Sequence, residues 1–263
     1  MKDVSNKKLS NMYIESAIVQ KEIIDRLMQR LSLINISPQK IIDIGSGIGL
    51  GTEKIIQKYA NSECYMLDNS LESLKENFVK SSTLKKVCAN FKKIPFPNST
   101  FDFVFSSSAL HWDLNIQESF QEIYRVLKPG GLFLFATYGP DTLIELRSSW
   151  SRVDTCKHVN DFYDMHDIGD LMQNINFNDS VVDVESIIIE YKSVLQLQKD
   201  LKNIGSKVIS SKEKKLGLFS SSKMKQMYSE YEKFRSKEGV LPATYEVIYG
   251  SAWKKFNTLK VVD

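Results

Sequence analysis

The 263-residue sequence predicts an α/β fold, a mostly parallel central sheet with helices on both faces, an N-terminal helix and a helical insertion before the last strand. Three observations predict it. Short apolar runs alternate with segments of helical period from residue 41 to residue 138, as when parallel strands are joined by crossover helices. Four of the twelve glycines fall in the seven positions from Gly45 to Gly51, where a strand gives way to a helix. A second strand then ends on Asp68, completing a βαβ unit. The composition, 42% apolar and 25% charged, excludes collagen, coiled coil and wholesale disorder.

Along the chain, Ile14, Ala17, Ile18, Ile23, Ile24, Leu27, Leu31 and Leu33 recur at the helical period and define an amphipathic helix. Strands follow at Ile41–Ile44 and Cys64–Leu67, with the helical run 53–60 between them, and at Phe101–Phe105. A helix starts near Asn115, with Glu118 three residues on as in a capping box, and stops at Pro129-Gly130-Gly131. Leu132 to Tyr138 is the next strand. Later come a helix at 167–176, a strand at 181–191, a helix at 194–203 and a last strand at 244–249 on the sheet edge. We read one domain over 1–263, with an N-terminal helix (1–36), a core (37–191), a basic helical insertion (192–241) and the last strand (242–254).

The glycine loop points to a ligand. Asp43-Ile44-Gly45-Ser46-Gly47-Ile48-Gly49 sits where doubly wound sheets bind ligands, beyond the carboxyl ends of their strands, and glycine allows close approach of the backbone. The dinucleotide fingerprint Gly-x-Gly-x-x-Gly fails in both registers, meeting Leu50 or Thr52 at its sixth position. A P-loop is excluded because no lysine follows the glycines before Lys54. Asp68 lies 19 residues beyond Gly49, near the roughly 20 expected of a carboxylate that reaches a ribose.

Strand, Asp-x-Gly-x-Gly-x-Gly, helix and strand-end acid together resemble the Rossmann-like class I S-adenosylmethionine-dependent methyltransferases. The resemblance implies a methyl-donor site formed by Asp43, Gly45, Gly47, Gly49 and Asp68, with Asn90 and Phe91 at the adenine and Ser107 at the end of the fourth strand. Asn90 stands where the family usually has Asp, so its contact lacks charge assistance. The runs Tyr138 to Arg147, His158-Val159-Asn160, Asp164 to Asp170 and Leu241 to Gly250 resemble the malonyl-acyl-carrier-protein O-methyltransferases of biotin synthesis. That resemblance covers roughly residues 14 to 254 and implies methyl transfer to the free carboxylate of malonyl on a phosphopantetheine arm. A carboxylate is already ionised at pH 7, so no general base is needed. Arg147 is the candidate grip on that carboxylate or, alternatively, a helix-stabilising surface arginine. His111 reads as pocket-lining or capping, without proton transfer. Tyr138 either orients the substrate or belongs to the core. In the family the N-terminal helix is part of a lid, and of its aromatic element only Tyr13 remains here.

The early strands and the Pro-Ala-Thr-Tyr segment also resemble assembly factors of respiratory complex I, and a non-catalytic cofactor-binding scaffold is a further alternative. Residues 192–237 carry a local net charge of +8, against −5 for the remainder. Lys202, Lys207, Lys212, Lys214 and Lys215 are therefore candidates for docking an acidic carrier protein. A catalytic run for base methylation is missing, so nucleic acid is not an expected partner. His158 and His166 lack metal-ligand spacing, and the three cysteines form no Cys-x-x-Cys pair. With no apolar signal core or span-length run, the expected location is the cytoplasm, away from membranes.

Overall fold

In the computed structural model, residues 12–113, 115–204 and 221–256 are described. They form one seven-stranded sheet with intervening helices. In chain order these are α1 (Ile18–Ser32), β1 (Lys40–Ile44), α2 (Leu50–Lys58), β2 (Glu63–Asp68), α3 (Leu71–Lys75), β3 (Leu84–Cys88), β4 (Phe101–Ser107) and α4 (Ile116–Val126). Then follow β5 (Leu127–Tyr138), α5 (Ile144–Ser151), α6 (Met165–Asn174), β6 (Phe177–Tyr191), α7 (Val194–Asn203), α8 (Ser221–Tyr231) and β7 (Leu241–Lys254). The strand order is β3-β2-β1-β4-β5-β7-β6. All four registers from β3 to β5 are parallel. The order reverses between β1 and β4, which opens a crevice at their carboxyl ends.

The chain divides into two compact units. The sheet unit comprises Gln20–Thr137, Tyr163–Val184 and the stretch from Ile248. Its core is built by alternation: Ile42, Ile44, Val104, Phe133 and Phe135 come from the strands, and Phe120, Ile123 and Met172 from α4 and α6. Asp102 ties its lower edge, accepting the Gln39 and Lys40 N–H groups and the Lys128 ammonium. The second unit comprises Tyr138–Phe162, Glu185–Val247 and the stretch up to Val19. Among the described residues no helix is long and apolar enough to cross a membrane.

Several expected boundaries shift. β7 lies between β5 and β6, so the last strand is interior and the edge belongs to β6, and it runs 14 residues. Pro129-Gly130-Gly131 does not separate helix from strand; β5 begins at Leu127, and Gly130 takes φ +75° within it. β6 begins at Phe177, α6 at Met165. Of the residues expected on the apolar stripe, Ile18 on α1 and Leu33 just past its end face solvent at 45% and 87% exposure, while on the helix Val19, Ile23, Ile24, Leu27 and Leu31 are the ones buried. Arg30 anchors that helix, pairing with Asp183 at 2.9 Å and lying 3.8 Å over the Tyr249 ring.

Candidate active site

The loop after β1 is held open by its own backbone. Gly45 and Ser46 both donate N–H to the Leu67 carbonyl, and Gly49 donates to that of Ser46. Gly45, Gly47 and Gly49 all have positive φ, at +68°, +54° and +102°, a region that side chains with a Cβ rarely adopt. Their surroundings differ. A Cβ on Gly45 would overlap Ala109, and one on Gly49 would meet Asn77 and Val79, whereas one on Gly47 meets nothing within 4 Å. Gly45 and Gly49 thus serve close packing, and Gly47 borders open space. Gly51, which the motif does not include, lets α2 pass Phe105 and Asp43.

Asp43 is buried at the end of β1. Its Oδ2 accepts the Thr52 hydroxyl at 2.6 Å, which ties the first turn of α2 to the end of β1. Desolvation raises its pKa to about 7, with Thr52 opposing and Asp68 adding to the rise. Asp68 accepts the Gly47 N–H at 2.9 Å on Oδ2 and the Ser70 N–H at 2.8 Å on Oδ1. Both oxygens are thereby aimed, and each keeps a lone pair for a ligand hydroxyl.

Asn90 is exposed, and its Oδ1 accepts the Lys92 N–H at 2.9 Å. That amide oxygen offers one remaining lone pair. Phe91 packs against the core at its rim. At the end of β4, Ser106 donates to the Ile44 carbonyl, while the buried Ser107 hydroxyl has no hydrogen-bond partner among the described residues. His111 lies in the short 3-10 turn Leu110–Trp112 with its ring beside Trp112, and desolvation pulls its pKa down to about 3. Burial thus favours the neutral imidazole. Asp68 is thus tied to the Gly47 backbone, beside the open side of that glycine at the end of the sheet.

The second unit brings together two sequence-remote runs. Gly139 N–H and Thr142 hydroxyl both donate to the Glu246 carbonyl, Asp141 N–H to the Glu246 carboxylate, and Leu143 N–H to the Thr244 carbonyl. Glu145, 6% exposed, accepts the Thr244 N–H and hydroxyl. Glu145 and Glu246 are pins that the sequence did not single out, although each sits within a run quoted above. Tyr138 is buried against Phe162 and Tyr245, at ring separations of 5.9 and 6.0 Å, which favours its core role.

Arg147 and Trp150, one turn apart on α5, line a cavity of about 320 Å³ with Asp154, Cys156, Lys157 and His158. The charges there are largely paired. Asp154 accepts His158 Nε2 at 2.7 Å and Lys223 at 2.9 Å, and Lys157 meets Asp161 at 2.6 Å. Burial would raise the Asp154 pKa, but His158, Lys223 and the Cys156 N–H outweigh it and hold it at about 2. Arg147 donates from Nη2 to the Asn160 carbonyl at 3.2 Å. Its Nε is buried with no hydrogen-bond partner, and no carboxylate pairs with it, among the described residues. His158 lies flat on Trp150, 3.7 Å between ring centroids. His166 sits at the start of α6 against its cap Asp164. Of the candidate docking lysines only Lys202 falls among the described residues, where it is exposed.

Residues 42–135 match the model of a methyltransferase domain. The YcgJ protein of Bacillus subtilis superposes with a TM-score of 0.63 over 87% of this chain and 97% of its own, at 17% identity, which establishes the shared fold. Fold, loop and strand-end acid define a class I S-adenosylmethionine-dependent methyltransferase. Malonyl-[acyl-carrier protein] O-methyltransferase 1 of Coxiella burnetii is 41% identical, spanning 92% of this chain and 83% of its own. The corresponding enzyme of a Methylovorus strain is 38% identical, spanning 92% and 84%. The chain belongs to the malonyl-[acyl-carrier protein] O-methyltransferase family.

Proposed function

We propose that this protein methylates the free carboxylate of a malonyl group carried by an acyl-carrier protein, using S-adenosylmethionine. The observation that carries the acceptor assignment is Arg147, a cavity-lining guanidinium whose charge no carboxylate neutralises among the described residues. A planar guanidinium suits a carboxylate through paired hydrogen bonds. The donor residues fit the cofactor: Asp68 offers aimed acceptors to ribose hydroxyls, and Gly47 leaves room for close approach.

When bound, S-adenosylmethionine supplies an electrophilic methyl group. Asp43 braces the loop through Thr52 and α2. Asp68 and Asn90 hold the nucleoside, with Phe91 behind them, and the Ser107 hydroxyl and the neutral His111 ring line the crevice as uncharged polar groups. Arg147 orients the acceptor, which arrives ionised. No side chain has to move a proton, so acceleration comes from alignment and exclusion of water. The carrier is acidic on this reading, and the reaction is cytoplasmic.

Release of S-adenosylhomocysteine with malonyl-carrier and with acetyl-carrier tests the acceptor. Only the malonyl form, which has a free carboxylate, should be consumed. Equal turnover of both removes the carboxylate reading.

A further inference from the structure

We propose that the outer face of α7 is the surface on which the carrier protein docks, receiving an acidic helical face with an apolar anchor. This rests on the reading that the acceptor is delivered by a carrier. α7 turns Val194, Leu197 and Leu201 inward, each less than 5% exposed. Leu195, Lys199 and Lys202 recur four and three residues apart, so they share the opposite face, and all three are exposed. Lys192 extends this basic surface just ahead of the Ser193 cap.

Two features set this face apart from an ordinary solvated one. Among the other described cations of the insertion, Lys223 pairs with Asp154, Lys233 with Glu230 and Arg235 with Glu232, while Lys225 on α8 and Lys237 beyond it also make no ion pair but lie on separate elements. Lys192, Lys199 and Lys202 make no ion pair among the described residues. Lys192 also lies at the positive end of the helix dipole, where a cation is unfavourable to the helix itself. The second feature is Leu195, 66% exposed in the midst of these charges. Cations around an apolar side chain complement an acidic helix that carries its own apolar residue. A phosphate backbone would use the charges and leave the leucine without a partner, so a protein is favoured over nucleic acid.

The test compares two substrates on the full chain: malonyl on its carrier, and malonyl-pantetheine without a carrier. Lys192→Glu/Lys199→Glu and, separately, Leu195→Ser change exposed residues only, and unaltered melting temperature and S-adenosylhomocysteine affinity verify the fold. Both variants should lower kcat/KM for the carrier-bound substrate about tenfold through KM and leave the carrier-free substrate within about twofold. Raising salt from about 50 to 300 mM should weaken the wild type on its carrier substrate more than the charge-reversed variant. Equal losses on both substrates, or no loss on either, overturn the docking surface. If added RNA, but not free carrier, competes with the carrier-bound substrate, the face belongs to a nucleic acid. Failure of the wild type to methylate either thioester instead removes the acceptor reading, and with it the basis for docking.

Discussion

Asp43 and His111 titrate in opposite senses around the same crevice. Asp43 is raised from 3.8 to about 7 by burial, so the folded chain keeps a proton that the unfolded chain loses near pH 4. Its contribution to stability is complete below pH 3.8 and is lost as the pH rises through 7. His111 is depressed from 6.5 to about 3, so its contribution is present above 6.5 and is lost as the pH falls toward 3. The two slopes oppose each other between about pH 4 and 6.5. Asp43→Asn should therefore give a melting temperature that rises with pH across this window, and His111→Gln one that falls, as read by calorimetry at constant ionic strength. Parallel slopes in the two variants would contradict the assignment. At the loop, Gly45→Ala should destabilise the fold by several kcal/mol, of order ~3, because its Cβ overlaps Ala109. Gly47→Val borders open space and should instead abolish S-adenosylhomocysteine binding in titration calorimetry, with a fold cost near ~1–2 kcal/mol for the positive φ. Unchanged affinity in Gly47→Val would show that the nucleoside lies elsewhere.

Elements differ in how openly their sequences announce them. α7 lies where its period places it, Val194–Asn203, because three inward apolar side chains and a Ser193 cap act together. The glycine loop was equally legible, since four glycines in seven residues have few other uses. β3 was not, because Lys85 and Lys86 face out and its short apolar content gives no pattern. The full length of β7 was hidden for another reason: an interior strand keeps both faces buried, so alternation disappears over Val247 to Tyr249. Gly51, Glu145 and Glu246 matter through contacts with residues far along the chain, which spacing does not reveal. Two element-level outcomes follow from the cavity on α5. Arg147→Lys keeps the charge and loses the planar geometry, so acceptor KM or kcat should worsen severalfold while cofactor affinity stays put; equal loss of cofactor binding would make the residue structural. Lys223→Met unties α8 from Asp154. It should raise KM for malonyl-carrier while Lys223→Arg restores it, and failure of the arginine to rescue would show that the ion pair does not position the cavity.

At the scale of the whole molecule, the two compact units interleave along the chain, each built from three separate stretches of sequence. The sheet unit holds the glycine loop and Asp68, and the second unit holds Arg147 and α7. Family membership states which acceptor to look for, and a carboxylate already ionised at pH 7 needs no base before it takes the methyl group. The most direct measurement is incubation with methyl-labelled S-adenosylmethionine and malonyl-carrier, followed by mass spectrometry of the released acyl arm. The account predicts one labelled methyl as an ester on the malonyl carboxylate, absent when Gly47 is valine. Label on any other atom of the arm, on the carrier polypeptide, or nowhere would contradict it.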